Sequence, residues 1–378
     1  MINSEQPIFL IWLGAVVAGS WLVPARWVGT FLAIASGMFL AIYAPWSLLT
    51  LFVITLLCGL AIRHADSYSA AIPSVIALFI GFFLLYRFLN QQTDVLVGIT
   101  LLGMAFYILR ATHLLIECYA GRQNQVSWSQ LVSWLWFLPT LQVGPIHRFA
   151  PFQRDLMRRR WDSHLFSSGL ERLVIGFFKV IVLGNYLINI KYNQWLSQFP
   201  PDSWWYHYFD SMRYGLYLYF KFAGYSDIAI GFALLLGFRV AENFNFPFLA
   251  TNISDFWNRW HITLSSWCRD YVYTPILAHY RQPALAAISS MLVLAVWHEL
   301  SLQYLLWGIW HGAGIALYQV WATTPVRHRL NQGRLSAVWK VIAVFLTVNF
   351  VILSFTFTGT ESFEDSVSRW KILLGREY

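Results

Sequence analysis

The sequence is poor in charge. Asp, Glu, Lys and Arg make up 12% of its 378 residues, about half the roughly 25% of soluble domains. Hydrophobic residues make up 58%, and the mean hydropathy is +0.52. Because this much apolar surface cannot be hidden inside a soluble globule, the composition argues against a soluble protein and favours a lipid bilayer as the solvent.

Cysteine is scarce, and several catalytic signatures are missing. Cys58, Cys118 and Cys268 lie far apart, so they fit neither a disulfide framework nor a metal site, and we expect small buried apolar side chains. No G-x-S-x-G elbow, H-E-x-x-H pair or P-loop occurs. We therefore expect no metal, no tightly bound cofactor and no covalent serine.

Apolar runs of membrane-spanning length recur along the chain, where about 20 residues are needed. They lie at Ile8–Val23, Val28–Tyr43, Trp46–Ile62, Ala71–Leu89, Val95–Ile116, Leu170–Ile190, Tyr214–Phe238, Leu285–Trp297, Leu302–Trp321 and Val338–Phe357. The N-terminus carries Glu5 and no basic residue, unlike a signal peptide, so we expect the first run to be retained. With no internal repeat or soluble domain, the sequence predicts a single all-α polytopic membrane domain over residues 1–378, with about 10–12 helices.

The net charge of +8 is concentrated in loops. The basic residues that cluster in loops are Arg26, Arg63, Arg122, those within Arg148–Arg160, and Arg327, Arg329 and Arg334. Such residues collect on the cytoplasmic side of membrane proteins, which places Ala44–Pro45, Asn90–Asp94 and both termini outside. The placement also argues against a nucleic-acid partner and for contact with membrane lipids.

One segment, Ser129–Leu141, is too short to cross a membrane comfortably. It contains Pro139 and precedes the basic run "RDLMRRRW" from Arg154 to Trp161, which a full crossing would export. We therefore predict a re-entrant or interfacial segment. Broken backbone at membrane depth is tolerated where protein or water surrounds it, which implies an internal cavity.

The stretch "ISDFWNRWHITLSSWCRDYVYTP" from Ile253 to Pro275 combines aromatic and ionisable residues. Its rings and His261 recur at helical spacing and predict one continuous aromatic face, with Ser254 as N-cap. Asp255 and Arg259 are spaced to form an ion pair. His261 is either a buried structural histidine or a functional one, and the pattern alone favours the structural interpretation.

A second group of histidines occurs in "LAVWHELSLQYLLWGIWHG" from Leu294 to Gly312. It holds His298, Glu299 and His311 within apolar runs. Ionisable groups at membrane depth are costly and usually face a partner or a water-filled cavity. Histidine is also suited to proton transfer near neutral pH. This group therefore favours a functional role for at least one histidine.

Two further motifs place polar groups in apolar surroundings. "YLYFKFAGYSDIAIGF" holds Lys221, which we expect to reach an interface, and Asp227, a cavity residue or an ion-pair partner. "LPTLQVGPIHRFAPFQRDL" is broken by proline and glycine, and its His147 and Arg148 could contact an anionic substrate or a lipid headgroup.

At these motifs the chain resembles the membrane-bound O-acyltransferase superfamily, and within it the bacterial cell-envelope members. The similarity is carried by "RWHITLSSWCRDYVY" and "VWHELSLQYLLWGIWHG", and extends from about Gly144 to Gly312. It implies helices around a central tunnel, with His298 as general base and His261 orienting the thioester or stabilising an oxyanion. His311, Glu299, Asp227, Arg148, Asn258, Arg269 and Asp270 are the supporting candidates.

Two branches of the superfamily compete. "FWNRWH" and "GPIHR" resemble the branch that moves D-alanine towards teichoic acids, which we favour, whereas "KFAGYSDIAIGF" resembles the branch that acetylates exopolysaccharides. Glu299 stands where both usually carry glycine, which leaves the shape around His298 open.

The resemblance implies a thioester donor, either an acyl carrier protein with its phosphopantetheine or acyl-CoA, at the cytoplasmic face of a bacterial inner membrane. It also implies an extracytoplasmic relay partner. A transporter with an intramembrane His/Asp path is the alternative of another class, and a non-catalytic scaffold ranks last.

Overall fold

The computed structural model describes residues 7–92, 101–123, 126–330, 332 and 336–375. Within these residues the chain is helical and without strands, apart from an isolated antiparallel bridge between Phe244 and Trp260. The helices are α1 Pro7–Leu22, α2 Val28–Tyr43, α3 Pro45–Arg63, α4 Ala71–Gln92, α5 Met104–Tyr119, α6 Trp128–Leu135, α7 Phe149–Arg158, α8 Ser163–Phe178, α9 Asn193–Leu196, α10 Trp204–Leu235, α11 Ile253–Arg259, α12 Ile262–Cys268, α13 Thr274–Tyr280, α14 Pro283–His298, α15 Leu302–Ala322, α16 Pro325–Leu330, α17 Ser336–Thr358 and α18 Phe363–Leu373.

Six helical stretches in the described part of the chain are long and apolar enough to cross a membrane. They are Ala25–Tyr43, Pro45–Arg63, Ala71–Gln91, Ser163–Leu196, Trp204–Leu235 and Ser336–Thr358. The prediction of an all-α, multi-pass membrane protein is confirmed. Which side each loop faces stays a prediction.

The predicted runs agree with the helices except at a few ends. α8 is followed without a break in the chain by a π-helical stretch, Lys179–Tyr192, and α10 begins at Trp204 rather than Tyr214. In the run predicted at Val95–Ile116, residues 95–100 lie outside the described residues. The corresponding helix, α5, begins at Met104. Glu5, Arg334, both extreme termini and part of the Asn90–Asp94 loop also lie outside them.

The chain forms two compact units. The first comprises Met1–Gly176 and Tyr225–Ala241, and the second comprises Phe177–Gly224 and Glu242–Tyr378. In the first unit, the segment predicted to be re-entrant is the short helix α6 followed by a 3₁₀ turn, Leu138–Thr140. Its depth in a membrane stays a prediction.

Arg110 explains how α6 can end inside the protein. Its Nη1 donates to the carbonyl of Thr140 at 3.2 Å, and its Nη2 donates to the carbonyl of Trp134. Arg110 and Trp134 are both fully buried. The last carbonyls of a helix have no N–H donor within the helix, and here the buried guanidinium of Arg110 supplies the donors.

In the second unit, α14 and α15 pack against each other through glycine. A Cβ atom on Gly308 would lie 2.8 Å from the carbonyl oxygen of Met291, and one on Gly312 would lie 2.7 Å from the Cα of Ile288. Glycines four residues apart lie on one face of a helix, which lets two backbones approach closely. This contact fixes the helix that ends at His298 against the helix that carries His311.

Candidate active site

His298 is the last residue of α14 and remains half-exposed. Tyr304 stacks on its imidazole with ring centroids 5.7 Å apart, and Trp307 meets it edge-on at 5.7 Å. Aromatic rings on two sides restrict the imidazole without burying it. Positive charge is stabilised at a helix C-terminus, so this position favours an imidazole that accepts a proton.

His261 occupies a break in the chain, where the sequence pattern predicted a continuous helix. α11 ends at Arg259 and α12 begins at Ile262. His261 between them has the left-handed conformation, with φ 44° and ψ 52°. The prediction of one uninterrupted aromatic face is therefore wrong. A non-glycine residue held there costs about 1–3 kcal/mol and persists where its surroundings enforce it.

The enforcing contacts come from the segment around Asn243. The backbone N–H of Ile262 donates to the carbonyl of Asn243 at 2.9 Å, and the Thr263 hydroxyl donates to the Asn243 side-chain oxygen at 2.6 Å. The N–H of Asn245 donates to the carbonyl of Arg259 at 2.9 Å. These bonds replace helix bonds across the break, so distant residues create it.

His261 is buried next to the last turn of α14, the helix that ends at His298. The His261 ring lies edge-on to Phe222 at 4.6 Å and 6.0 Å from Trp297, the neighbour of His298. Burial lowers the pKa of His261 well below its usual value, and the nearby charge of His298 lowers it further. His261 is therefore neutral near pH 7, and the structure brings the two predicted catalytic histidines together.

His311, in contrast, is hydrogen-bonded at both ring nitrogens. The Trp257 indole N–H donates to Nδ1 at 3.3 Å, and Nε2 lies 2.9 Å from the Ser354 hydroxyl. Because an indole nitrogen can only donate, Nδ1 is the acceptor and Nε2 carries the proton. His311 is buried. It therefore ties α11, α15 and α17 together through hydrogen bonds.

A cavity of about 320 Å³ lies beside α11 and α12 in the same unit. It is lined by Ser254, Trp257, Asn258, Ser265, Arg269, Ser290 and Gln319, among others. Two predicted supporting residues, Asn258 and Arg269, therefore share a cavity wall. Trp257 also lines it and contacts His311, which connects the cavity wall to the histidine cluster.

The remaining predicted residues of this unit have ordinary surroundings. Asn252, rather than Ser254, caps α11, because its side chain accepts from the Asp255 N–H at 2.8 Å. Asp255 and Arg259 form the predicted ion pair at 2.8 Å. Arg269 and Asp270 pair at 3.3 Å on the surface.

Glu299 follows His298 with φ −162° and ψ 145°, an extended conformation. Any residue adopts this conformation, so the backbone after His298 does not need glycine. Glu299 thus adds a carboxyl-bearing residue directly after His298 in the sequence.

Three candidates belong to the first unit. Asp227 is an ion-pair partner, with Oδ1 2.8 Å from Arg172 Nε. Arg148 Nη1 lies 3.1 Å from His113 Nδ1. His147 is buried between Phe137 and Phe152, with ring centroids at 5.6 and 5.4 Å, so its predicted contact with a headgroup or anionic substrate is wrong.

The sequence analysis missed the roles of five residues that shape the site. Tyr304 and Trp307 contact His298, Ser354 and Trp257 hold His311, and Asn243 sets the break. Tyr304 and Trp307 are three residues apart in α15 and share one face of that helix, which is the local signal that the sequence offers. Ser354 and Asn243 carry none, because their contacts are distant in sequence.

The free cysteines agree with expectation in two of three cases. Cys58 and Cys268 are buried, whereas Cys118 is half-buried. No group of three or more metal-binding side chains occurs among the described residues.

Residues 33–359 match the membrane-bound O-acyltransferase family. The chain belongs to this family. It is 31% identical over 264 residues to "Probable alginate O-acetylase" of Pseudomonas syringae, covering 66% of this chain and 48% of that protein. It is 29% identical over 273 residues to "Teichoic acid D-alanyltransferase" of Bacillus subtilis, covering 68% of each.

A third relative is "Peptidoglycan O-acetyltransferase" of Helicobacter pylori, 27% identical over 248 residues, which are 63% of this chain and 45% of that protein. The chain spans about half the length of the alginate O-acetylases that it matches. All three names describe transfer of an acetyl or D-alanyl group.

Proposed function

We propose that the protein is a membrane O-acyltransferase that moves an acyl group from a thioester towards a hydroxyl, with His298 as general base. The observation that carries this proposal is the pair formed by half-exposed His298 and buried, neutral His261. A hydroxyl is a weak nucleophile until a base removes its proton. The family membership supports the same reaction.

The two histidines suit different tasks. His298 is reachable, and the C-terminus of α14 favours the imidazolium that forms when it takes the hydroxyl proton. Glu299 beside it adds negative charge. His261 stays neutral, so its ring suits hydrogen bonding to the thioester carbonyl as negative charge develops on the oxygen.

The donor in this proposal is an acyl carrier protein with its phosphopantetheine, or acyl-CoA, at the cytoplasmic face. The acceptor is a cell-envelope polymer, or a partner that relays the acyl group outside a bacterial cytoplasmic membrane. Asn258 and Arg269, which line the 320 Å³ cavity, are the candidates for contacting a substrate. Arg148 is the candidate for contacting the donor.

D-alanyl is the acyl group we favour, since the match covers the same share, 68%, of this chain and of the D-alanyltransferase. Acetyl is the second candidate, because the alginate O-acetylase has the higher identity, 31% against 29%.

Mass spectrometry of envelope esters, in cells with wild-type protein and with His298→Gln, tests the reaction and the acyl group together. Loss of D-alanyl ester selects the first candidate, and loss of acetyl ester selects the second. Unchanged esters, with the variant present at wild-type level in the membrane, would refute the proposal. Solute flux through vesicles without thioester turnover would indicate a transporter instead.

A further inference from the structure

A strongly cationic cavity of about 640 Å³ lies in the first unit, at the end of α7. Its wall contains Arg154, Arg158, Arg159, Arg160 and Arg239. Asp155 and Asp162 also line it, so the formal charge of the wall is five minus two, or +3. None of the residues in its wall belongs to the acyl-transfer site described above.

Both aspartates of the wall are already engaged by the protein. Asp155 Oδ2 accepts from the backbone N–H of Arg239 at 2.8 Å. Asp162 Oδ1 accepts from the N–H of Leu165 at 3.1 Å at the start of α8, and its Oδ2 lies 4.0 Å from Arg239 Nη2. They therefore hold the cavity together and leave most of its positive charge uncompensated.

Arg154, Arg158 and Arg160 supply that uncompensated charge. All three side chains are exposed, and none forms a hydrogen bond or an ion pair within the described part of the chain. Three guanidinium groups around one cavity repel one another unless an anion sits among them. Their forked donors match the oxygens of a phosphate group.

Arg159 forms a fixed part of the wall. Its Nε donates to the carbonyl of Leu236 at 2.7 Å, its Nη1 to the carbonyl of Ser20 at 3.0 Å, and its Nη2 to the Ser20 hydroxyl at 2.9 Å. Its guanidinium carbon lies 3.6 Å from the ring centroid of Trp21. Burial lowers the pKa of Arg159 to about 10, which still leaves it charged near neutral pH.

Two large exposed apolar side chains directly neighbour the wall residues in sequence. Trp161 is 57% exposed and Met157 is 75% exposed, and Trp161 meets Trp21 edge-on at 5.1 Å. Exposed tryptophan beside arginine is typical of the headgroup level of a bilayer, where aromatic rings and cations both find partners. A soluble ligand would not require these exposed apolar groups.

We propose that this arginine cavity binds the phosphate of an anionic phospholipid headgroup, with Trp161 and Met157 among the adjoining lipid. The phosphodiester would sit among Arg154, Arg158 and Arg160, against the fixed Arg159. Phosphate on a soluble molecule offers the same oxygens, so the apolar rim is what favours the lipid. The inference does not depend on the acyl-transfer proposal.

The test is lipid binding by the full-length protein in a non-ionic detergent. Short-chain phosphatidylglycerol is titrated against wild type and the triple variant R154Q/R158Q/R160Q, with phosphatidylcholine, inorganic phosphate and coenzyme A as separate arms. Each arginine near an anionic lipid surface contributes a factor of about five in affinity. We expect the triple variant to bind phosphatidylglycerol roughly a hundredfold more weakly at low salt.

The matched control is R26Q/R63Q/R329Q, which removes three exposed arginines elsewhere, and R154K/R158K/R160K tests whether charge alone suffices. We expect the control to bind like wild type and the lysine variant to bind with intermediate affinity. The proposal would be overturned if the triple variant and the control lost the same affinity for phosphatidylglycerol. It would also be overturned if wild type bound phosphatidylcholine as tightly as phosphatidylglycerol. Phosphate or coenzyme A binding as tightly as the lipid would overturn it too, because the cavity would then serve a soluble ligand. Thermal unfolding of each variant checks its folding.

Discussion

His298 and His311 lie 13 residues apart in sequence, within apolar helices of the same unit, yet their surroundings are opposite. His298 ends its helix, is half-exposed and touches aromatic rings. His311 lies within its helix, is 1% exposed and has hydrogen bonds at both ring nitrogens. A histidine that must exchange protons needs access, whereas one that joins helices needs fixed partners.

Because of this contrast, substitutions of the two residues should have different effects. Removing His298 should impair chemistry and leave the fold intact, and removing His311 should weaken the fold. His261 lies between these cases, because it is buried but stands beside His298 in a strained conformation.

The largest effect is expected for His298→Gln. The variant should lose about 10²–10⁴-fold in acyl-transfer rate, because a placed general base contributes that much. Its thermal unfolding should stay close to wild type, since glutamine keeps a hydrogen-bonding side chain of similar length at this half-exposed helix end. Rate measurements with a labelled acyl thioester, alongside melting curves, check both statements. A stability loss equal to that of a His311 variant would break the contrast.

A slightly smaller loss is expected for His261→Ala, about 10²–10³-fold in rate, as for removal of one oxyanion donor. His261→Asn is the matched variant, because asparagine tolerates the left-handed conformation and keeps a hydrogen-bonding side chain. Burial keeps the pKa of His261 far below 6.5, so its ring does not titrate between pH 6 and 8. The pH–rate profile of H261N should therefore keep the wild-type shape. A changed shape in this range would show that His261 itself takes up the proton.

His311→Ala is expected to destabilise the protein by about 2–4 kcal/mol, because the Trp257 indole and the Ser354 hydroxyl lose a buried partner. Trp257→Phe removes one of these bonds only and should cost about 1 kcal/mol. Thermal or denaturant unfolding in detergent measures both. An H311A protein with wild-type stability and no transfer activity would move His311 into the reaction.

Gly308→Ala should cost about 1–3 kcal/mol, as overpacking does, because its Cβ would lie 2.8 Å from the Met291 carbonyl. Gly81→Ala is the control, since nothing lies within 4 Å of a Cβ there. That change should be neutral or stabilise α4 by about 0.5–1 kcal/mol. Comparable losses at both positions would show that the α14–α15 contact is looser than described.

The smallest effect concerns the ion pair of Asp255 and Arg259. Both side chains are partly exposed, at 27% and 31%, and the pair joins successive turns of one helix. A double-mutant cycle with D255N and R259Q should give a coupling of about 0.3–0.5 kcal/mol, which decreases with salt. A coupling several times larger would mean that the pair is shielded from water more than these exposures indicate.

Much of the helical layout could be predicted from the sequence. The bounds of α2, Val28–Tyr43, agree with the apolar run, and the end of α14 falls one residue from the predicted Trp297. Apolar length and composition determine these elements locally, since a bilayer requires about 20 such residues. The ion pairing of Asp255 with Arg259 follows equally from local spacing.

The interruption at His261 could not be predicted from local pattern. The residues from Trp257 to Tyr271 keep helical spacing, but Asn243 forms the bonds that redirect the chain. The structural role of His311 depends on Ser354, which is 43 residues away. His147 is a similar case, because Phe137 and Phe152 enclose it. Residue type indicated which histidines to consider, and only three-dimensional contacts separated them.

The most direct test of the central claim is a structure with a non-hydrolysable acyl thioester analogue and an acceptor hydroxyl compound bound. The account predicts that the acceptor hydroxyl lies within about 3.2 Å of a ring nitrogen of His298, the reach of a general base. The thioester carbonyl should face His261. Analogue and acceptor bound with no atom near either histidine, in a protein that still turns over the true substrate, would contradict it.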